Sequence, residues 1–216
     1  MAASSSDSSG NNSSSGTMLI LLALLVAVGV ATLFFRASKQ GGADAPDSDP
    51  LVGQRLGMME LQALTGAAQD VKQEDLAGNV ALLNFWGTWC PPCRAEFPHI
   101  VELEKHYRDR GDMRVLAVST TGAKDEAKAI PNLRMVTEKF LEGNKVDLPT
   151  YVDQDGRTRQ QLVINGKWDG LGYPTTVLFD RTGVVRAVWH GYMPGTEDEM
   201  RRWIEKLLAE KTAAAG

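Results

Sequence analysis

The chain has 216 residues, and its 23 Lys and Arg against 27 Asp and Glu leave a formal net charge of −4. This balance provides no basic surface and argues against a nucleic-acid partner. Cys90 and Cys93 are the two cysteines of the chain, so any sulfur chemistry belongs to this pair.

The N-terminal quarter differs in composition from the rest. Residues 1–17 are rich in Ser and Asn and predict a disordered tail. Residues 18–35 are apolar almost throughout and, at about 1.5 Å per residue, reach roughly 27 Å, enough to cross a bilayer core. They predict an uncleaved transmembrane anchor. A cleaved signal peptide is the alternative, although no Lys or Arg precedes Met18.

Residues 36–50 are rich in Gly, Ala, Asp, Pro and Ser and predict a flexible linker, which leaves residues 51–212 for one folded domain. Arg36 and Lys39 follow the apolar segment, and no basic residue precedes it. Taken alone, these charges predict that the folded domain lies in the cytoplasm.

The cysteines stand three residues apart, directly after the apolar run Val80–Trp86, which predicts a buried strand. A helix is predicted from about Pro92 to Arg108. A cysteine at a helix N-terminus has a lowered pKa because unpaired N–H groups and the helix dipole favour the thiolate. We expect Cys90 to be the exposed attacking thiol and Cys93 to resolve the mixed disulfide.

Two non-redox interpretations of the pair are weaker. Half of a zinc site would need further ligands, and His99, His106 and His190 are not paired at ligand spacing. A purely structural disulfide across two residues would close too small a loop to contribute much stability. The sequence therefore predicts a redox pair with no metal and no cofactor.

The segment Arg114–Ser119 predicts a second buried strand, joined to the first by a helix and therefore parallel to it. Thr175–Phe179 and Val184–Trp189 flank a turn signal at residues 180–183 and predict an antiparallel hairpin.

The last helix is predicted to begin at a capping box of Thr196 and Glu199. Its apolar residues recur at helical spacing, which indicates a face turned to the core. These residues are Met200, Trp203, Ile204, Leu207 and Leu208.

Between these regions, Pro131–Leu141 predicts a helix and Leu148–Val152 a short strand. Asp153–Gly156 looks like the start of a calcium loop but lacks the remaining ligands, so a turn is predicted. Trp168 is either a core residue or part of the rim near the thiols, and both interpretations stay open.

Residues 84–98 resemble the active-site signature of the thioredoxin superfamily, and most closely that of the ResA/TlpA group of membrane-anchored proteins. The resemblance runs from about Val52 to about Leu208 and includes residues 61–66, 76–78 and 172–176. It implies an α/β thioredoxin-like fold, with a central mixed sheet flanked by helices, after one N-terminal transmembrane helix.

The resemblance also implies site residues. Pro174 matches the cis-proline that faces the cysteines, and Tyr173 before it would help to select partners. Glu96 matches an acidic residue that would shuttle protons or tune the cysteine pKa; its alternative is a solvated surface glutamate. Pro98 matches a proline within the active-site helix.

Two further positions matter near the cysteines. Cytosolic thioredoxins carry a buried aspartate where this chain has Asn84. An amide cannot take a proton from Cys93, which makes Glu96 the expected base. Trp89 is expected to belong to the surface on which a partner docks, or to shield the sulfur atoms.

The resemblance implies a membrane-tethered thiol–disulfide oxidoreductase that reduces extracytoplasmic (periplasmic) clients and is recharged by a membrane thiol or electron donor. This location is opposite to the one that Arg36 and Lys39 predict. Clients implied by the resemblance are apocytochrome c, whose haem-binding cysteines must be reduced, or a copper-site assembly protein.

Other functions stay open. The first is an oxidase or isomerase that delivers or reshuffles disulfides. A peroxidase is disfavoured because related peroxide-reducing folds place the cysteine differently. A copper-binding assembly factor would use His190, but the cysteine spacing argues against it. A degenerate scaffold conflicts with the intact pair and Pro174.

Overall fold

The computed structural model describes residues 45–122 and 126–210. The predicted tail, the predicted anchor at residues 18–35 and the linker up to residue 44 lie outside the described residues. Within the described ranges, no helix is long and apolar enough to cross a membrane.

The strands and helices alternate along the domain. The strands are β1 (Glu60–Thr65), β2 (Val71–Lys72), β3 (Val80–Trp86), β4 (Met113–Ser119), β5 (Thr150–Val152), β6 (Thr175–Phe179) and β7 (Val185–His190). The α-helices are α1 (Pro91–Tyr107), α2 (Glu126–Asn144), α3 (Arg157–Gly166) and α4 (Thr196–Ala209).

The strands form one sheet in the order β2-β1-β5-β4-β3-β6-β7. The strand β3 is buried along its whole length, pairs parallel with β4 and pairs antiparallel with β6. The predicted strand Val80–Trp86, its parallel partner and the C-terminal hairpin are confirmed. The mixed sheet with flanking helices is the thioredoxin-like α/β fold that the sequence predicted.

Alternate residues of β3 point into two cores, because successive side chains of a strand face opposite ways. Val80 and Leu82 pack in the core that helices α1 and α4 cover, whereas Leu83 and Phe85 pack in the core that β1 and α3 help to enclose. The apolar face predicted for α4 is confirmed: three of its residues are buried in the first of these cores, namely Met200, Ile204 and Leu207.

The capping box predicted for α4 is wrong. The residue before the helix is Gly195, at φ 98°, and no side chain caps the helix there. The Glu199 carboxylate instead accepts a hydrogen bond of 2.9 Å from the Trp189 indole. A largely buried indole N–H needs an acceptor, and Glu199 supplies it from the first turn.

Between β4 and β6, the helix and the strand begin at other residues than the sequence predicted. The helix α2 begins at Glu126, so Pro131 lies inside it rather than at its start. The strand β5 covers only Thr150–Val152. The turn at Asp153–Gly156 is confirmed: the Asp153 carboxylate accepts N–H bonds from Thr158 (3.2 Å) and Arg159 (2.8 Å) at the start of α3.

Residues 45–50, predicted as the end of the linker, lie against the domain. The Pro46 carbonyl accepts a hydrogen bond of 2.8 Å from the Val188 N–H on the edge strand β7. The Asp49 carboxylate accepts one of 3.0 Å from the indole of Trp168, which packs against the core around β1 and β3. An edge strand leaves backbone groups unpaired, and this segment covers some of them.

Candidate active site

The cysteine pair lies where β3 ends and α1 begins. Cys90 is the residue that caps α1, and it forms a disulfide with Cys93, the Cα atoms being 5.2 Å apart. The Cys93 N–H points to the Cys90 sulfur at 3.3 Å. Pro91 and Pro92 in the first turn have no N–H to donate, so Cys93 supplies the N–H that meets this sulfur. A helix N-terminus in general favours the thiolate form of a reduced cysteine placed there.

Both cysteines are nearly buried in the disulfide state. Cys90 is 3 % exposed and Cys93 is 1 % exposed, so the prediction that Cys90 is exposed is wrong for this state. The cause is an apolar cluster around the pair that includes Trp86 and Phe97, with Tyr173 packed against it.

The loop before β6 faces the pair. The Tyr173–Pro174 peptide bond is cis, and the Tyr173 carbonyl oxygen lies 3.6 Å from the Cys90 sulfur. The Gly191 N–H donates a bond of 2.8 Å to the Pro174 carbonyl, which ties this loop to the end of β7. The backbone of Tyr173 is therefore held beside the sulfur that would react.

Trp89 forms the exposed rim of the site and is 50 % exposed. Its indole N–H donates a bond of 2.9 Å to the Thr120 carbonyl, and its ring meets the Tyr173 ring edge-on at 5.5 Å. A Cβ added to Gly87 would lie 2.5 Å from this indole, and one added to Gly122 would lie 2.8 Å from it. Only glycine leaves room for the ring at these two positions.

Glu96 is a buried carboxyl on α1 and is 1 % exposed, so the alternative of a solvated surface glutamate is wrong. Its Oε2 accepts a bond of 2.8 Å from the Asn84 carboxamide, which also donates to Thr176 Oγ1 at 2.8 Å. Burial raises the pKa of Glu96 to about 7, although the Asn84 bond opposes the rise. A carboxyl with this pKa exchanges protons near neutral pH.

Thr176 is a member of this pocket that the sequence did not single out. It lies opposite Asn84 in the antiparallel pairing of β3 with β6. The polar Asn84 within an apolar strand is a signal that a buried partner exists. Nothing in the sequence indicates that the partner lies 92 residues further along the chain.

The histidines do not join the cysteines in a metal site. The His190 imidazole lies 2.9 Å from the Asp49 carboxylate, and the His106 ring packs on Tyr107. In the part of the chain that the structure describes, no group of three or more His, Cys, Asp or Glu residues is placed to hold a metal ion.

Comparisons with known proteins agree with this geometry. The family model described as AhpC/TSA matches residues 52–188. The thiol-disulfide oxidoreductase ResA of Geobacillus kaustophilus is 32 % identical over 188 residues, which cover 85 % of this chain and 90 % of that protein. The thiol:disulfide interchange protein DsbE of Pseudomonas aeruginosa is 28 % identical, over 73 % of this chain and 75 % of that protein.

A crystal structure of a DsbE protein from Chlorobium tepidum superposes with a TM-score of 0.57 at 26 % identity, covering 73 % of this chain and 98 % of that one. These similarities and the Cys90–Cys93 pair agree in both sequence and fold. The chain therefore belongs to the AhpC/TSA family of thioredoxin-like proteins and is a thiol–disulfide oxidoreductase of the ResA/DsbE type.

Proposed function

We propose that this enzyme is a membrane-tethered reductant of disulfides in extracytoplasmic client proteins and that its Cys90–Cys93 dithiol carries the electrons. The observation that carries the proposal is the position of the Tyr173 carbonyl, 3.6 Å from the Cys90 sulfur and next to a cis proline. An extended client segment that pairs with this backbone places its own disulfide against Cys90.

In the first step the Cys90 thiolate attacks one sulfur of the client disulfide. A bond forms between Cys90 and that sulfur, the client S–S bond breaks, and the other client sulfur leaves as a thiolate that takes a proton from water. The helix N-terminus favours the attacking thiolate because its N–H groups lack partners within the helix.

In the second step Cys93 releases the client. Its thiol gives a proton to the Glu96 carboxylate, and its sulfur attacks Cys90. The Cys90–Cys93 bond forms, the mixed disulfide breaks, and the second client sulfur leaves as a thiolate. Two electrons have then passed from the dithiol to the client, and Glu96 holds one proton.

Trp89 supplies the docking surface in this proposal. Its half-exposed ring stands at the rim, fixed by the Thr120 carbonyl and by the edge-on contact with Tyr173. A large aromatic side chain that is already held in place binds a partner with little further loss of conformational entropy.

The location and the clients rest on other support. Residues 18–35 are apolar and would anchor the domain, and we place that domain on the periplasmic side, where client disulfides form. Relatives named as a thiol-disulfide oxidoreductase and a thiol:disulfide interchange protein support a client that carries a disulfide. Apocytochrome c or a copper-site assembly protein is the client that we propose from the resemblance of the active-site signature. A membrane thiol or electron donor would reduce Cys90–Cys93 again.

The reduction potential of the pair tests the direction of exchange. The full-length protein in mild detergent is equilibrated with glutathione or dithiothreitol buffers, and the oxidised fraction is measured. We expect a value at or below about −220 mV, as for dedicated reductants. A value near about −120 mV would replace the proposal with a disulfide-donating oxidase.

Trapping tests the division of labour between the cysteines. Cys93→Ala should accumulate client proteins as mixed disulfides on Cys90, because nothing resolves them. Cys90→Ala is the matched control and should trap no client. A Cys93→Ala protein that also traps nothing would count against the mechanism.

A further inference from the structure

Glu96 is closed off from water, although the proposed second step leaves a proton on it. The residue is 1 % exposed, and its Oε1 accepts no hydrogen bond from the described residues. The neighbours of its Oε2 are the Asn84 amide and, beyond it, the buried Thr176 hydroxyl, which is 1 % exposed. These two groups do not accept a proton at neutral pH, so the proton must leave in another direction.

Two ionisable groups near the start of α4 act on Glu96. Glu197 lies in the first turn of α4, and its negative charge adds to the burial that raises the pKa of Glu96. Tyr192 lies in the loop between β7 and α4. Burial and the neighbouring Glu197 raise its pKa, and the charge of Glu96 adds to that rise. Helices α1 and α4 pack against each other, which brings these groups together.

His99 contacts Glu197 and Tyr192 and reaches the protein surface. It follows Glu96 by three residues on α1, so both lie on one face with Cβ atoms about 5–6 Å apart. Its Nε2 lies 3.8 Å from Glu197 Oε1, and its ring stacks on Tyr192 with centroids 5.8 Å apart. The His99 side chain is 34 % exposed, and an imidazole passes protons readily near neutral pH.

Glu197 is itself held in place and kept ionised. Its Oε2 accepts a hydrogen bond of 3.0 Å from the Gly195 N–H. Its own backbone N–H, at the start of α4, lowers its pKa, and His99 adds to this effect. A fixed anion 3.8 Å from Nε2 holds the His99 imidazole in one orientation.

We propose that His99, positioned by Glu197 and Tyr192, is the proton exit of Glu96. This inference rests on the proposed function, because it concerns the proton that Cys93 gives to Glu96. The proton leaves the Glu96 carboxyl, is taken up on the His99 imidazole and passes to water or buffer, which restores the Glu96 carboxylate. When the donor reduces the disulfide, the same proton returns by the reverse route.

The test uses the full-length protein in detergent, with insulin disulfides as probe and dithiothreitol as donor, in a weak buffer of low concentration. We expect His99→Gln to slow turnover by about threefold or more, as for a lost proton-transfer group. Added imidazole should restore the parent rate, because a small base can replace the missing side chain. A purely structural role of His99 would not respond to imidazole.

Matched variants complete the test. His106→Gln, on the same helix, should keep the parent rate. Glu96→Gln should be slow with or without imidazole, since the exit serves only Glu96. Glu197→Gln removes a charge that raises the pKa of Glu96, so the pH midpoint of turnover should fall.

The outcomes separate the two proposals. A His99→Gln protein that keeps the parent rate in weak buffer, or is slow and not restored by imidazole, would overturn the proton exit. A parent protein that fails to reduce insulin disulfides would instead overturn the proposed function.

Discussion

Asn84 and Glu96 are joined by a buried hydrogen bond of 2.8 Å from the carboxamide Nδ2 to the carboxylate Oε2. The bond favours the carboxylate, whereas desolvation favours the neutral acid, and the balance puts the pKa of Glu96 at about 7. Because position 84 carries an amide, Glu96 does not share this contact with a second carboxyl. Two carboxyls there would oppose each other's ionisation and separate their pKa values.

The raised pKa of Glu96 makes the folded state lose stability as the pH rises. Between its ordinary value of 4.5 and about 7, the native carboxyl stays protonated while the unfolded one has lost its proton. The free energy of unfolding of the disulfide form should therefore fall across this window, by on the order of 3 kcal/mol from this residue, and then level off. Glu96→Gln should remove this fall, as measured by urea unfolding from pH 4 to 8.

Other carboxyls contribute to the same curve, so the difference between parent and variant is the informative quantity. Burial also raises the pKa of Asp153, for example. Glu102→Gln is the matched control, because the Glu102 side chain is 65 % exposed and pairs with Arg201 at the surface. A Glu96→Gln curve parallel to that of the parent would contradict the assignment of a raised pKa.

Asn84→Ala removes the hydrogen bond that lowers the pKa of Glu96. We expect the pKa of Glu96 to rise further, so the pH at which client reduction reaches half its maximal rate should move upward. The rate of insulin reduction as a function of pH measures this midpoint. In a Glu96→Gln background the same change should leave the pH profile unaltered, because the titrating group is gone.

The parallel pairing of β3 with β4 and the hairpin of β6 with β7 could be predicted because each carries a local signal, whereas the order of the whole sheet could not. The run Val80–Trp86 is apolar except for Asn84, as in a strand buried on both faces, and residues 180–183 mark the hairpin turn. The burial of Glu96 could not be predicted from spacing, since it depends on how α1 packs on the sheet and places this carboxyl against Asn84 of β3. The contact between Asn84 and Thr176 depends on the register of two strands far apart in sequence.

Predictions from local sequence patterns differ from the structure where a residue makes a contact with a distant part of the chain. Thr196 and Glu199 have the spacing of a capping box, but Glu199 binds the Trp189 indole instead. Residues 45–50 have the composition of a linker, yet Pro46 bonds to the edge strand. In the first case the buried Trp189 indole N–H obtains its acceptor from Glu199, and in the second the Val188 N–H of the edge strand obtains its acceptor from Pro46. Buried or edge N–H groups need such acceptors, and the sequence pattern does not show which residue will supply them.

Gly87→Ala should displace Trp89 and weaken client docking. An added Cβ would lie 2.5 Å from the indole nitrogen and 2.9 Å from the Thr120 carbonyl, the acceptor of that indole. We expect the Michaelis constant for insulin to rise while the reduction potential of Cys90–Cys93 changes little. Gly143→Ala is the control: its Cβ would meet nothing within 4 Å, and in a helix it should stabilise by about 0.5–1 kcal/mol.

Trp89→Ala removes the ring itself, so it tests client docking without the steric clash that Gly87→Ala introduces. This variant should raise the Michaelis constant as Gly87→Ala does, because both remove the ring from the rim. If Gly87→Ala binds insulin as tightly as the parent protein while Trp89→Ala does not, the ring has stayed in place and the steric argument is wrong.

Asp49 is expected to fasten residues 45–50 to the domain. Its Oδ2 accepts hydrogen bonds from Trp168 Nε1 at 3.0 Å and lies 2.9 Å from His190 Nε2, while Oδ1 accepts the Leu51 N–H at 2.7 Å. Asp49→Ala leaves the part-buried indole without its acceptor and should lower the free energy of unfolding by about 1–3 kcal/mol. Asp49→Asn retains an acceptor oxygen and should cost less. The exposed Asp47→Ala should stay within about 0.5 kcal/mol of the parent.

Urea unfolding of the full-length protein in detergent, followed by tryptophan fluorescence, measures these differences. Because Asp49 joins residues 45–50 to Trp168 and His190, its loss should also make this segment susceptible to proteolysis at lower urea than the rest of the domain. Equal unfolding midpoints for Asp49→Ala and Asp47→Ala would show that the segment lies against β7 without stabilising it. The linker would then extend to residue 50, as its composition predicts.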